Sequence, residues 1–168
     1  MRQTVATRTE PGAARASRRR AIGGLTALLF AAALPLRARA LTVFTRPQVF
    51  TPPPGSGLRA EIMDALRPTV AGEIGGAIEF VVSSLRVLGD WAYVDVRPQR
   101  PGGRPIDWRA TKFRAQREQG VLEDNVLALL RHDAGGWRVV EYVIGPTDVY
   151  WENWIAPHRL PRSLFSDE

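Results

Sequence analysis

The sequence predicts an α+β domain in which an N-terminal helix packs on a curved antiparallel sheet of about four strands. Three observations lead to this prediction. One stretch carries apolar residues at helical spacing, and two later stretches each look like a pair of strands joined by a short glycine turn. A helix followed by antiparallel strands is typical of an α+β domain, because the helix covers one face of the sheet.

The predicted helix follows Ser56, whose side chain is a good N-cap. Leu58, Ile62 and Leu66 then fall on one stripe at helical spacing. Pro68 is expected to end the helix after about three turns, because proline disfavours helical geometry in the residue before it. The apolar stripe needs another element to cover it.

The first hairpin, FVVSSLRVL-GD-WAYVDVRP, has Gly89-Asp90 as its turn. This turn pairs Leu88 with Trp91 and, farther along, Ser83 with Val96. Alternation then gives the second strand of the hairpin two faces. The small apolar face is assigned to the core and consists of Ala92, Val94 and Val96. The opposite face carries a row of larger side chains, Trp91, Tyr93, Asp95 and Arg97.

The second hairpin, VLALLRHD-AGG-WRVVEYVIG, repeats the arrangement of strand, glycine turn, tryptophan and strand. Residues 98–125 connect the two hairpins and are rich in polar and turn-forming residues. Because this is long for a bare loop, residues 109–119 are predicted to form a short helix or an irregular strand.

Charge is distributed unevenly along the chain. Residues 1–40 carry eight arginines and one acidic residue, which gives them a charge of +7. Because the net charge of the chain is +6, residues 41–168 carry −1. A nucleic-acid-binding domain is expected to keep a basic face. The sequence therefore argues against nucleic acid as a partner.

The first 40 residues have the layout of a bacterial secretory signal peptide. A basic region ends at Arg20, an apolar run spans residues 21–36, and Ala38 and Ala40 form an A-x-A site. We expect cleavage after Ala40, a periplasmic or secreted protein, and no membrane attachment afterwards. An uncleaved anchor is the alternative. The arginines at 18–20 resemble a twin-arginine signal, with an ordinary Sec signal as the alternative.

Three segments are therefore predicted: a signal peptide at 1–40, an extended proline-rich arm at 41–57, and a single α+β domain at 58–168. The chain has no cysteine and two histidines. This composition excludes disulfides, thiol nucleophiles and cysteine-ligated zinc. No metal or other cofactor is predicted.

The segments GDWAYVDV and GGWRVVEY resemble the hairpins of cystatin-like domains, a group that includes NTF2-like and SnoaL-like domains. DALRP, GDWAYV and IGPTDVYWENW are similar to segments of small, exported, uncharacterised proteobacterial proteins. The first resemblance implies a cystatin-like fold, and the second implies no particular activity.

Candidate site residues are few, since no nucleophile elbow, zinc-protease motif or phosphate-binding loop is present. Asp95, Glu141 and His132 are the candidates for proton transfer. Both carboxylates lie on predicted strands of one sheet, where they either share a pocket or face solvent. The candidates for ligand or partner contact are Trp91, Tyr93, Arg97, Trp151 and Trp154. Both C-terminal tryptophans, three residues apart, either stack on a ligand or form a lid packed on the sheet.

Three function classes follow. The favoured one is a non-catalytic exported module that binds an unknown protein partner or a small apolar ligand. The alternative is a small SnoaL-like isomerase or hydratase with a carboxylate general base. The third is a peptide-binding or inhibitory domain that uses an exposed strand edge.

Overall fold

The computed structural model describes residues 47–167. The predicted leader at 1–40 and the first residues of the predicted arm lie outside these described residues. In chain order the elements are helix α1 (Gly57–Ile74), strands β1 (Glu79–Leu88) and β2 (Trp91–Gln99), a 3-10 turn (Trp108–Ala110), helix α2 (Arg114–Glu118), strands β3 (Val126–Asp133) and β4 (Gly136–Ile144), helix α3 (Glu152–His158) and a second 3-10 turn (Arg162–Leu164).

The predicted fold class is confirmed. The four strands form one antiparallel sheet in the order β1-β2-β3-β4, built from two hairpins and left open, and α1 packs against it. Residues 91–96 of β2 and 126–131 of β3 therefore have paired neighbours on both sides. The unpaired edges belong to β1 and β4.

Helix α1 begins as predicted, with the Ser56 hydroxyl accepting a hydrogen bond from the Arg59 backbone N–H. The predicted end at Pro68 is wrong, because the helix continues to Ile74 and Gly75 caps it with φ 79°. The apolar stripe explains the difference. Val70 and Ile74 continue the line of buried residues beyond Pro68, and their burial offsets the hydrogen bond that proline cannot donate.

The first hairpin has the predicted register near its turn, where Leu88 pairs with Trp91. The predicted pairing of Ser83 with Val96 is wrong, because Val82 pairs with Val96 instead. Ser83 is the extra residue of a β-bulge on this edge strand. Such a bulge bends the strand and interrupts a regular edge, which makes edge-to-edge pairing harder.

For residues 109–119 a short helix or an irregular strand was predicted, and the structure has the helical alternative. It consists of two separate pieces, the first 3-10 turn and α2. Trp108 anchors this segment, since its indole N–H donates to Asp124 at 2.8 Å and its ring packs edge-on against Phe113.

Two apolar clusters lie on opposite faces of the sheet. The first fills the space between α1 and the sheet, and its strand residues include Val94, Val96 and Ala128. This is the face that the sequence assigned to the core. The second cluster lies under the C-terminal segment, which covers the other face. Its buried members are Tyr93, Leu127, Leu129, Trp151, Trp154, Leu160, Leu164 and Phe165.

The described part of the predicted arm runs along the end of β1. Phe50 and Val87 exchange both backbone hydrogen bonds, at 3.0 and 2.8 Å, in an antiparallel bridge. One position of the β1 edge is thereby occupied by the chain itself. No helix within residues 47–167 is long and apolar enough to cross a membrane.

Candidate functional site

An open cleft of about 450 Å³ lies where the C-terminal segment leaves the sheet. We call it the Asp95 cleft. Its lining combines polar and apolar side chains from β2, the approach to β3, and the segment after β4. The lining residues are Tyr93, Asp95, Glu123, Asn125, Leu127, Pro146, Thr147, Asp148, Val149 and Trp151.

The sheet register determines one wall of the cleft. Tyr93 and Asp95 alternate onto the same face of β2, and Leu127 lies directly opposite Asp95 on β3. Residues 123–125 form the adjacent wall, held by Gly145. The Gly145 N–H donates to the Asn125 carbonyl at 2.7 Å, and its own carbonyl accepts from the Glu123 N–H at 3.0 Å.

Gly145 is required at that contact for two reasons. Its φ of +63° is in the left-handed region, and a Cβ there would lie 2.7 Å from the Glu123 carbonyl oxygen. Any other residue would push residues 123–125 away from the end of β4. The glycine therefore allows residues 123–125 to lie against the end of β4.

Tyr93 is a buried wall residue, with 3% of its surface exposed. Its ring packs edge-on against Phe165 at a centroid distance of 5.2 Å. The Tyr93 hydroxyl has no hydrogen-bond partner among the described residues. Burial, followed by the nearby Asp95 charge, raises the pKa of Tyr93 well above its usual value. The side chain is therefore a neutral hydroxyl group at physiological pH.

Asp95 is a half-buried carboxylate with one weak partner. The Asn125 side-chain amide donates to Asp95 Oδ1 at 3.4 Å, close to the limit for a hydrogen bond. Burial raises the pKa of Asp95, and the Asn125 hydrogen bond lowers it by a smaller amount. The Asn125 side-chain oxygen is itself buried without a partner. The cleft thus holds polar groups whose hydrogen-bonding capacity the protein does not use.

The predicted binding residues fall into different surroundings. Tyr93 and Trp151 line the Asp95 cleft, whereas Trp154, at 3% exposure, packs inside the second cluster. Trp91 is half-buried between the Arg131 guanidinium and the His158 ring, each 5.2 Å from it. Trp151 and Trp154 both belong to the second cluster on the sheet, which agrees with the alternative that they form a packed lid.

Arg97 is exposed and lies apart from Tyr93 and Asp95. It lines a separate cleft of about 280 Å³ beside Trp108 and Arg117. Proline, glycine and charged residues make up much of the remaining lining.

The structure does not bring the three proton-transfer candidates together. Glu141 is on the same side of the sheet as Asp95 but pairs with His158 at 3.4 Å and does not line the cleft. His132 is exposed with its ring against Trp137, 5.2 Å away. Asp95 is the one candidate of the three that lines the Asp95 cleft.

Sequence reasoning missed Glu123, Asn125 and Asp148, and it counted the first two among the turn-forming residues of the connection at 98–125. One signal was present. In an antiparallel pair the residue just before β3 lies beside the end of β2, so the EDN segment at 123–125 had to lie near Asp95 once the hairpins were ordered. Asp148 had no such signal, since its place depends on the path of the C-terminal segment.

Within residues 47–167, no group of three or more His, Cys, Asp or Glu side chains is arranged to hold a metal ion. No protein-family model, curated protein or solved structure is significantly similar to this chain. The functional argument therefore depends on the geometry of the cleft.

Proposed function

We propose that this protein is a non-catalytic binding module and that the Asp95 cleft is its ligand site. One observation carries the proposal. The Asn125 side-chain oxygen in the cleft lining is buried without a hydrogen-bond partner, and the Tyr93 hydroxyl in the same lining has none among the described residues. Buried polar groups in folded proteins are usually paired. A ligand that occupies the cleft would supply the missing partner.

The filled interior favours a module over an enzyme. The face of the sheet toward α1 is packed with apolar side chains, and none of the buried residues there is polar or charged. The polar groups gather instead in a cleft open to water. An open site of this size suits recognition of a small molecule, because it leaves entry unobstructed.

The test is a fragment titration followed by amide NMR. We expect at least one member of a library of small cations, anions and neutral molecules to shift the amides of residues 93–95, 125–127 and 147–149. Tyr93→Phe should weaken that binding, because it removes the unpartnered hydroxyl. Tyr142→Phe is the matched control, because the Tyr142 hydroxyl already donates a hydrogen bond, to Glu73 on α1 at 3.0 Å. A library that leaves those amides unshifted would contradict the proposal.

The alternative is a small SnoaL-like isomerase or hydratase that uses Asp95 as general base. Burial raises the pKa of Asp95, and a general base works best when its pKa is nearer the operating pH. Against this, Glu141, the second carboxylate expected to take part, does not line the cleft. The enzyme alternative would be favoured if the protein turned over a substrate and Asp95→Asn abolished that activity without changing the affinity for the ligand. The cystatin-like subtype remains a prediction from the hairpin sequences.

The charge distribution supports a role outside the cytoplasm. The arginine-rich first 40 residues and the A-x-A site favour export and cleavage after Ala40. Intact-mass measurement of the mature protein tests this, since the expected chain begins at Leu41. Recovery of the full-length chain from the membrane fraction would contradict it.

A further inference from the structure

The acidic side chains that lack an ion pair are concentrated at the Asp95 cleft. Of the fifteen acidic residues at 47–167, eight form ion pairs with lysine or arginine, and a ninth, Glu141, lies 3.4 Å from His158. Three of the remaining six line this cleft, namely Asp95, Glu123 and Asp148. No lysine, arginine or histidine is among the lining residues. The cleft therefore carries negative charge that the protein does not neutralise.

A second observation, independent of charge, points to a ligand in the same place. The Asn125 side-chain oxygen in the lining is buried without a hydrogen-bond partner, and Tyr93 presents to the cleft a hydroxyl that no described residue hydrogen-bonds. A phenol oxygen can accept a hydrogen bond from an N–H group as well as donate one. Beside Asp95, an N–H group that is also positively charged satisfies both side chains at once.

The shape of the lining suits an organic cation better than a metal ion. The carboxylates do not converge into a metal-binding group within residues 47–167. Apolar side chains line the cleft as well, contributed by Leu127, Pro146 and Val149. A volume of about 450 Å³ holds a body larger than a bare ion.

We infer that the Asp95 cleft takes a small organic cation, an ammonium or guanidinium group on a compact apolar body. This inference rests on the proposed function, because it names the chemical class of the ligand for that same site. The charged group lies between Asp95 and the Tyr93 hydroxyl. The apolar body lies against Leu127 and Val149.

Three probes with one shared body test the inference: 2-phenylethylammonium, 2-phenylethanol and phenylacetate, each titrated into the labelled protein. We expect the cation to shift the amides of residues 93–95 and 125–127 with an affinity at least about tenfold higher than that of the alcohol. Phenylacetate should bind more weakly than either. Raising the salt concentration from about 0.02 M to about 0.5 M should weaken the binding of the cation and of neither other probe, because salt screens the attraction between opposite charges.

The variants Asp95→Asn and Glu123→Gln separate the contributions of the carboxylates. Asp95→Asn should remove most of the preference for the cation over the alcohol, and Glu123→Gln, at an exposed position, should reduce it by a smaller factor. Glu61→Gln is the matched control, since Glu61 is an exposed carboxylate on α1 without an ion pair. It should leave the preference unchanged.

The outcomes distinguish this inference from the proposed function. If the alcohol or phenylacetate binds the cleft as tightly as the cation, the charge inference fails and the cleft is still a ligand site. If none of the three probes shifts the cleft amides, the inference fails, and the wider fragment library decides the proposed function. A cation preference that survives both carboxylate variants would also overturn the inference.

Discussion

Asp95 is the residue at which stability and binding oppose each other. It is half-buried, and the one hydrogen bond it receives from residues 47–167 is the long one from Asn125. Burial raises its pKa above the ordinary value near 3.8, so the folded protein holds the Asp95 proton more tightly than the unfolded chain does. A group of this kind stabilises the fold when protonated and loses that contribution as it ionises.

The expected pH dependence of stability follows from the direction of the Asp95 pKa shift. The contribution of Asp95 to the free energy of unfolding should be highest below its unfolded pKa and should fall as the pH rises through the raised folded pKa. Urea unfolding from pH 3.5 upward, about the range in which carboxylates titrate, measures this fall. Asp95→Asn should lack the contribution, so the difference between variant and wild type should grow with pH and then level off. A difference that shrinks with pH would contradict the assignment.

The row Trp91, Tyr93, Asp95 and Arg97 shows what alternation predicts and what it leaves open. Alternation correctly placed Ala92, Val94 and Val96 in the first cluster. It did not predict that the four residues would lie in different surroundings. Trp91 contacts His158 of the C-terminal segment, Tyr93 and Asp95 line the Asp95 cleft, and Arg97 lines a separate cleft. That division depends on residues 123–125 and 146–165, whose positions relative to β2 are set by packing between distant parts of the chain.

Among the elements, α1 is the clearest case in which tertiary packing overrides a local signal. Pro68 is exposed in the middle of the helix, where it removes one backbone hydrogen bond. Local propensity predicted an end at that point. Four of the five buried residues of α1 flank Pro68 at i−6, i−2, i+2 and i+6, so the stripe crosses it without interruption.

Pro68→Ala should therefore raise the free energy of unfolding by about 1 to 3 kcal/mol, because alanine restores the hydrogen bond and propensity at an exposed site. Urea unfolding measures the change. Gly72→Ala is the matched control, since a Cβ at Gly72 meets nothing within 4 Å, and it should add about 0.5 to 1 kcal/mol. If Pro68→Ala destabilises the protein while Gly72→Ala stabilises it, the helix needs the proline geometry at this position.

The hairpins were predictable because their information is local. The Gly89-Asp90 turn sets the first five pairs of the first hairpin, and those pairs are as expected. The bulge at Ser83 has no comparable signal in the sequence. Beyond it the strand must bend, and which residue becomes the extra one depends on how β1 lies over the cluster under α1.

At the scale of the whole molecule, the sheet is an intermediate layer with apolar side chains on both faces. Helix α1 covers one face and the C-terminal segment covers the other. Central strand β3 shows the consequence directly, since Val126, Leu127, Ala128, Leu129 and Leu130 are all buried. The sequence shows these five residues as an unbroken apolar run, and such a run indicates a strand covered on both sides. The second covering layer was predicted less clearly, as a lid of two tryptophans.

If both layers belong to one cooperative unit, removing side chains from either should lower the same unfolding transition. Trp154 is 3% exposed in the second cluster, and Trp154→Ala should cost about 3 to 5 kcal/mol. Leu66 is fully buried under α1, and Leu66→Ala should cost about 2 to 5 kcal/mol. In both variants, backbone circular dichroism and tryptophan fluorescence should give the same urea midpoint, as expected for two-state unfolding.

A different result would change the description of the Asp95 cleft. If Trp154→Ala shifts the fluorescence midpoint and leaves the circular dichroism midpoint in place, the C-terminal segment detaches while the sheet stays folded. The wall formed by residues 146–151 would then be a separately moving part, and ligand affinity would depend on how often that part is docked. Coincident midpoints in Trp154→Ala would instead mean that the cleft is built in the same step as the fold.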